Sequence, residues 1–174
     1  GTLAPACPFC SALSPTLSDD LQDSAAAVIA RCESISRQQD GFHVCRMRMT
    51  NIVKGDRALV GSVLEFASLK KFSRGDTFLL TGFGENPVQW TSPKKISAGA
   101  IAYLRGLRGL PESGPRRLQY FLRYLKHDDQ VVATDAYNEF AEASLTDIAE
   151  LKEQLDREWV MEQLRDDSVP VHRR

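Results

Sequence analysis

Apolar residues recur along this chain with two different periods, and the change from one to the other divides it. Between Ala26 and Ile52 they alternate with polar residues on either side of Gln38-Gln39-Asp40-Gly41, the pattern of two antiparallel strands joined by a turn. With the turn centred between Gln39 and Asp40, Glu33 faces Arg46 and Arg31 faces Arg48 on a charged face. Val28, Ala30, Cys32, Cys45, Met47 and Met49 then share the opposite, core face. In that register Cys32 lies opposite Met47 and Ser34 opposite Cys45. The two cysteines are diagonal neighbours, and a direct bridge between them requires a bulge or a different turn. Gly61 to Leu69, Thr77 to Phe83 and Val88 to Thr91 read as three further strands, set off by the turns Lys54-Gly55-Asp56, Arg74-Gly75-Asp76 and Gly84-Glu85-Asn86-Pro87. Ahead of the hairpin, Ser14 as cap, Pro15 at the first helical position and Leu13, Leu17 and Leu21 as a buried stripe predict a short helix ending at Asp23.

Beyond Ser92-Pro93 the period becomes helical. Ser97 to Leu107 carries Ile101 and Leu104 on one face, and Pro115 to His127 carries Leu118, Phe121, Leu122 and Leu125. Asp128-Asp129 breaks and caps before Gln130 to Ala143, where Val132, Ala136 and Phe140 recur every four residues, and Leu145 to Asp156 and Arg157 to Asp166 continue the series. The helix, Asp-rich turn and helix resemble a single HEAT-type pair, fewer than the roughly three that a solenoid stacks. The predicted fold is α+β: a five-stranded OB-like β-barrel over residues 7–91, with an amino-terminal cysteine segment and the short helix, followed by a C-terminal α-helical bundle over residues 92–167.

Composition narrows this only slightly. The chain has 174 residues, of which 43% are apolar and 26% charged, the balance of a folded domain and not of a disordered one. A formal net charge of -1 excludes a global attraction to nucleic acid or anionic lipid, and no apolar run is long enough to span a membrane. The small residues of Gly1-Thr2-Leu3-Ala4-Pro5-Ala6 fit a chain from which a signal peptide has been removed. Four cysteines fit the same periplasmic or extracellular origin.

Cys7-Pro8-Phe9-Cys10 is the first motif with chemistry in it. Three readings stand side by side: a local structural disulfide, a redox-active pair and metal ligands. The tetrapeptide matches the glutaredoxin active-site pattern, but a thioredoxin-like fold needs a strand ahead of the first cysteine, and only six residues precede Cys7. Cys32 and Cys45 are the other disulfide or redox candidates. Cys7, Cys10, His43 and Cys45 form a conceivable zinc set, and no cofactor is expected beyond it.

The order of strand, turn, strand ending in Lys54-Gly55, strand, and Arg74-Gly75-Asp76-Thr77-Phe78-Leu79-Leu80 is similar to netrin-like domains, the family that includes the tissue inhibitors of metalloproteinases. The resemblance covers roughly residues 7 to 91. It implies a five-stranded OB barrel with amino-terminal cysteines tethered to it by disulfides. Those inhibitors chelate the protease zinc through a terminal Cys-x-Cys. Here the spacing is Cys-x-x-Cys, so protease inhibition is not implied.

Arg105, Arg108, Arg116, Arg117, Arg123 and Lys126, interleaved with Tyr103, Tyr120 and Tyr124, form a candidate binding surface. The leading members are Arg105, Arg108, Arg116, Arg117, Tyr120 and Tyr124. Dispersed over two helices, these charges read first as a solvated face, and Asp135 with Glu139 reads as surface charge. No catalytic Ser/His/Asp order, phosphate loop or His-Glu-x-x-His is present. The favoured expectation is a non-enzymatic exported module that binds a protein partner. The alternatives are a thiol-disulfide oxidoreductase or metal-binding protein using Cys7 and Cys10, and single-stranded nucleic-acid binding by the barrel.

Overall fold

The computed structural model describes residues 15–38, 41–84 and 87–166. It is an α+β structure in which one open, antiparallel six-stranded sheet is followed by a layer of helices. Helix α1 spans Leu17–Asp23. Thr16 caps it, with Asp19 reaching back to the Thr16 backbone in a reciprocal capping box. The expected cap, Ser14, and Leu13 of the expected stripe lie outside the described residues, whereas Leu17 and Leu21 are buried as anticipated. The other end of α1 is held by Lys54, whose ammonium donates to the carbonyls of Leu21 and Gln22, both at 2.8 Å.

The hairpin is formed by β1 (Ala26–Arg37) and β2 (His43–Lys54). Arg31 opposes Arg48 and Cys32 opposes Met47, as the alternation predicts. One step further the ladder shifts: Ser34, not Glu33, opposes Arg46, and Ile35, not Ser34, opposes Cys45. Glu33 is the extra residue of a β-bulge. Its carboxylate still binds both cations of the charged face, Arg48 Nε at 2.5 Å and Arg46 at 3.6 Å.

Strand β3 (Val63–Ser68) extends the sheet beyond β2. Strand β4 (Thr77–Phe83) returns beside β1. On its far edge β4 pairs with two short strands, β5 (Gln89–Trp90) at Gly82 and Phe83 and β6 (Lys94–Ile96) at Thr77 to Leu79. The order is β3-β2-β1-β4-β5, and among the described residues no pairing joins β3 to β5. The sixth strand was not expected from the sequence, because Ser92-Pro93 marks a turn and Lys94-Lys95 is polar. Ile96 alone of its three residues is buried.

Each sheet face has its own core. Val28, Ala30, Cys32, Cys45, Met47, Met49, Phe72, Phe78 and Leu80 pack together on one side. Phe72 and Phe78 meet edge to face at 4.9 Å. Ala27, Ile29, Val53 and Leu79, on the other side, join the helices: α2 (Ala98–Leu107), α3 (Pro115–Leu122), α4 (Gln130–Glu142) and their neighbours. Asp129 ties two of them. One carboxylate oxygen accepts from the Val131 amide at 2.9 Å and the other from the Ser97 amide at 2.5 Å, so a single side chain serves the starts of α2 and α4. Helix α5 (Leu145–Glu150) and α6 (Arg157–Arg165) complete the layer, capped by Ser144 and Asp156.

Gly106 marks the closest approach of α2 to α3. A Cβ there would stand 2.7 Å from two ring carbons of Tyr120. Gly106→Ala is therefore expected to cost about 1–3 kcal/mol of overpacking, outweighing the roughly 1 kcal/mol by which alanine favours a helix over glycine. Chemical denaturation checks this: a lower midpoint is expected where propensity alone predicts a higher one.

Candidate functional site

The residues singled out in the sequence fall into three places. Cys32 and Cys45 are free, buried thiols on the sheet face turned away from the helices, while Cys7 and Cys10 lie outside the described residues. His43 begins β2 half-buried, opposite Arg37 and Ser68. Among the described residues no three His, Cys, Asp or Glu side chains group to hold a metal ion.

The arginines and tyrosines separate by role. Arg105 and Arg116 are exposed on α2 and α3. Arg108 donates to the Val53 carbonyl and so joins the helices to β2. Arg117 turns inward to Glu139, with Nε at 2.9 Å from one oxygen and Nη2 at 2.7 and 2.6 Å from the two. It also lies over the Phe121 ring at 5.1 Å. Tyr103 is fully buried, stacked on Tyr120 at 5.7 Å and edge-on to Tyr124 at 4.7 Å. The Tyr120 hydroxyl donates to the Tyr103 carbonyl at 2.6 Å. These rings fill the helical core.

Asp135 and Glu139, read from the sequence as surface charge, are 4% and 6% exposed, and this corrects that reading. The Asp135 carboxylate accepts from the Tyr103 hydroxyl and, at 2.6 Å, from the Leu17 amide at the start of α1. Burial pushes the Asp135 carboxyl up to about 6, and burial beside that carboxylate raises the Tyr103 phenol. A signal was present in the sequence. Residues 135 and 139 lie one step around α4 from the Val132, Ala136 and Phe140 stripe, within the arc a buried helix hides. Asp135 is bonded to Tyr103 and Leu17, and Glu139 to Arg117, so both carboxylates brace the helical layer from within.

The surface feature left open is an apolar groove. Leu125, which follows α3, Tyr137 and Phe140 of α4, and Ile148 of α5 form its floor and one wall. Leu155, Trp159, Val160 and Leu164, from α6 and the turn before it, form the other, enclosing a cavity of ≈ 240 Å³. Gln163 is its one polar lining residue. The Asp156 cap fixes the entry angle of α6, and Lys126 spans the rim, 2.6 Å from the Asp156 carboxylate and 5.2 Å from the Trp159 ring centre. Leu164 stays 48% exposed, with Met161 exposed three residues before it. The segment that supplies most of this groove is strongly acidic: Asp128 to Asp166 carries twelve carboxylates against Lys152, Arg157 and Arg165.

Sequence-based reading found the helices but not the groove. Its lining comes from four separate segments, and the register that converges them is tertiary. Comparison with known proteins adds no family: no family model and no curated protein matches this sequence.

Proposed function

We propose that the chain is a non-enzymatic, exported protein-binding module whose α3–α6 groove receives an amphipathic helix with basic flanks from a partner protein. The carrying observation is the apolar groove itself, open along Leu164 and framed by a segment with twelve acidic and three basic residues. An apolar cleft between helices fits the i, i+3, i+4, i+7 face of another helix. The carboxylates of this segment outside the core, ten once the buried Asp135 and Glu139 are set aside, against three basic residues, favour lysine or arginine flanks and disfavour acidic ones. The β1-β2-β3 meander, with β4 returning beside β1, supports the OB-type, netrin-like reading of the sheet, which presents the helical layer as a platform.

A fluorescein-labelled Leu/Lys amphipathic helical peptide tests this by polarisation. Three comparisons serve as controls: the same helix with Glu for Lys, a same-charge peptide with its leucines scattered off one face, and the Leu164→Asp protein. Binding of the Leu/Lys helix is expected at least ten-fold tighter than either control peptide, with a ten-fold or greater loss in Leu164→Asp. Equal affinity for the faced and scattered peptides would reject the groove. Sedimentation of the free protein as a dimer that buries Trp159 would assign the groove to a second copy instead.

A further inference from the structure

The sheet face turned away from the helices carries a second arrangement, independent of the groove. Cys32 and Cys45 are 1% and 0% exposed, on facing strands, within one apolar cluster that includes Met47 and Phe78. Opposite Met47 and Ile35 respectively, they remain diagonal neighbours across the hairpin. The ladder is not regular there: Cys32 opposes Met47, Ser34 opposes Arg46, and Glu33 is inserted between these pairs. The bulge is fixed from its outer side by backbone bonds, the Cys32 amide to the Asp76 carbonyl at 2.9 Å and the Gly75 amide to the Cys32 carbonyl at 2.8 Å. A bulge bends its strand and re-aims the adjoining side chain, and both sulfurs stay on the same face.

We propose that Cys32 and Cys45 are an oxidisable pair that closes into a disulfide across this β-bulge. The two thiols are buried neighbours: the Cys32 thiol donates to the Ser34 carbonyl at 3.6 Å, and Cys45 is pushed up to about 12, first by burial and then by Cys32 beside it. A thiol so held is a poor nucleophile in the folded protein, so the bond forms while the hairpin is still open to solvent. The oxidant is a low-molecular-weight disulfide. One cysteine thiolate attacks it, forming a mixed disulfide and releasing one thiolate. The second cysteine thiolate then attacks the protein sulfur of that mixed disulfide and releases the other thiolate. Two electrons pass from the protein to the oxidant, and the two cysteine protons end on the two released thiols. The product fixes the bulged register, since a one-residue slip of β1 against β2 becomes impossible.

The Cys7→Ser/Cys10→Ser protein isolates the pair. It is unfolded in urea, refolded in a glutathione redox buffer, alkylated under denaturing conditions and weighed. The folded fraction is expected about two mass units lighter than the reduced chain. It should take up no alkyl group and melt several degrees above the same protein refolded in reductant. A folded fraction that takes two alkyl groups overturns the proposal, as does an oxidised form that melts lower. In the unsubstituted chain, non-reducing peptide mapping gives a second readout. A Cys32–Cys45 crosslink supports the pair, and a link from either residue to Cys7 or Cys10 overturns it.

Discussion

Replacing Arg117 with alanine is expected to lower the unfolding free energy by about 3–5 kcal/mol, the cost of leaving one member of a buried ion pair without the other. Glu139 is almost wholly enclosed, with 5% of its side chain exposed, and Arg117 supplies hydrogen bonds to both of its oxygens. Without the guanidinium, that carboxylate must either stay charged in a low-dielectric site or take up a proton. The stacking of Arg117 over Phe121 and its bond to the Pro111 carbonyl at 3.2 Å are lost as well. Urea denaturation measures the loss. The double variant Arg117→Met/Glu139→Leu separates charge from packing, because removing both partners together is expected to recover most of the stability. If the double variant is no more stable than Arg117→Ala, the uncompensated charge is not what destabilises the single variant.

The second large effect concerns pH. Asp135 has its carboxyl raised to about 6 in the folded chain by burial, against an ordinary value of 3.8. An acid raised on folding means that the native state holds a proton the unfolded chain has already released. Its contribution is therefore most favourable below about pH 4 and declines as pH rises through 6. The two-unit difference corresponds to about 3 kcal/mol. Asp76, Asp129 and Asp156 are shifted the opposite way: their hydrogen bonds and ion pairs outweigh the burial that pushes them up. They favour the folded state more as pH rises, so the wild-type curve is a mixture. Subtracting the curve of Asp135→Asn isolates one group. Asparagine keeps an oxygen for the Leu17 amide and carries no charge. The variant is expected to match the wild type near pH 4 and exceed it by up to about 3 kcal/mol at pH 7. Parallel curves across that range would show that the Tyr103 and Leu17 donors fully offset the desolvation.

Local alternation carried much of this fold in the sequence, and long-range pairing carried what it missed. The core face that carries Val28 to Met49 follows from period-two patterning, because each residue's side is set by its immediate neighbours, and β4 follows from an apolar run bounded by turns. The bulge at Glu33 does not follow from the hairpin, since the bonds that hold it come from the turn at Gly75 and Asp76, more than forty residues on. Strand β6 is hidden for the same reason: Lys94 and Lys95 read as loop, and only the free edge of β4 makes them a strand. At the candidate groove, Leu125 and Phe140 are legible as helical apolar positions. Which of them face one another depends on how α5 and α6 turn back, and that is set by the Ser144 and Asp156 caps. Arg117 shows the converse: its spacing fits a solvated helix, and only the buried Glu139 on another helix reverses that reading.

The pairing of Lys94–Ile96 with β4, leading through Ser97 directly into α2, bears on how such a chain can be divided. Leu79 and Ile29 are covered by helices on one face, while Ile96 closes the edge of the same strand from the helical side of the sequence. A fragment cut after Ser92-Pro93 would lose a ladder and uncover an apolar sheet face in one stroke. The sheet and the helices therefore share one core and are expected to fold as one cooperative unit. Recombination between related chains at the apparent strand-to-helix border is expected to yield insoluble products, whereas exchange confined to α5 and α6 would change the groove and leave the sheet intact.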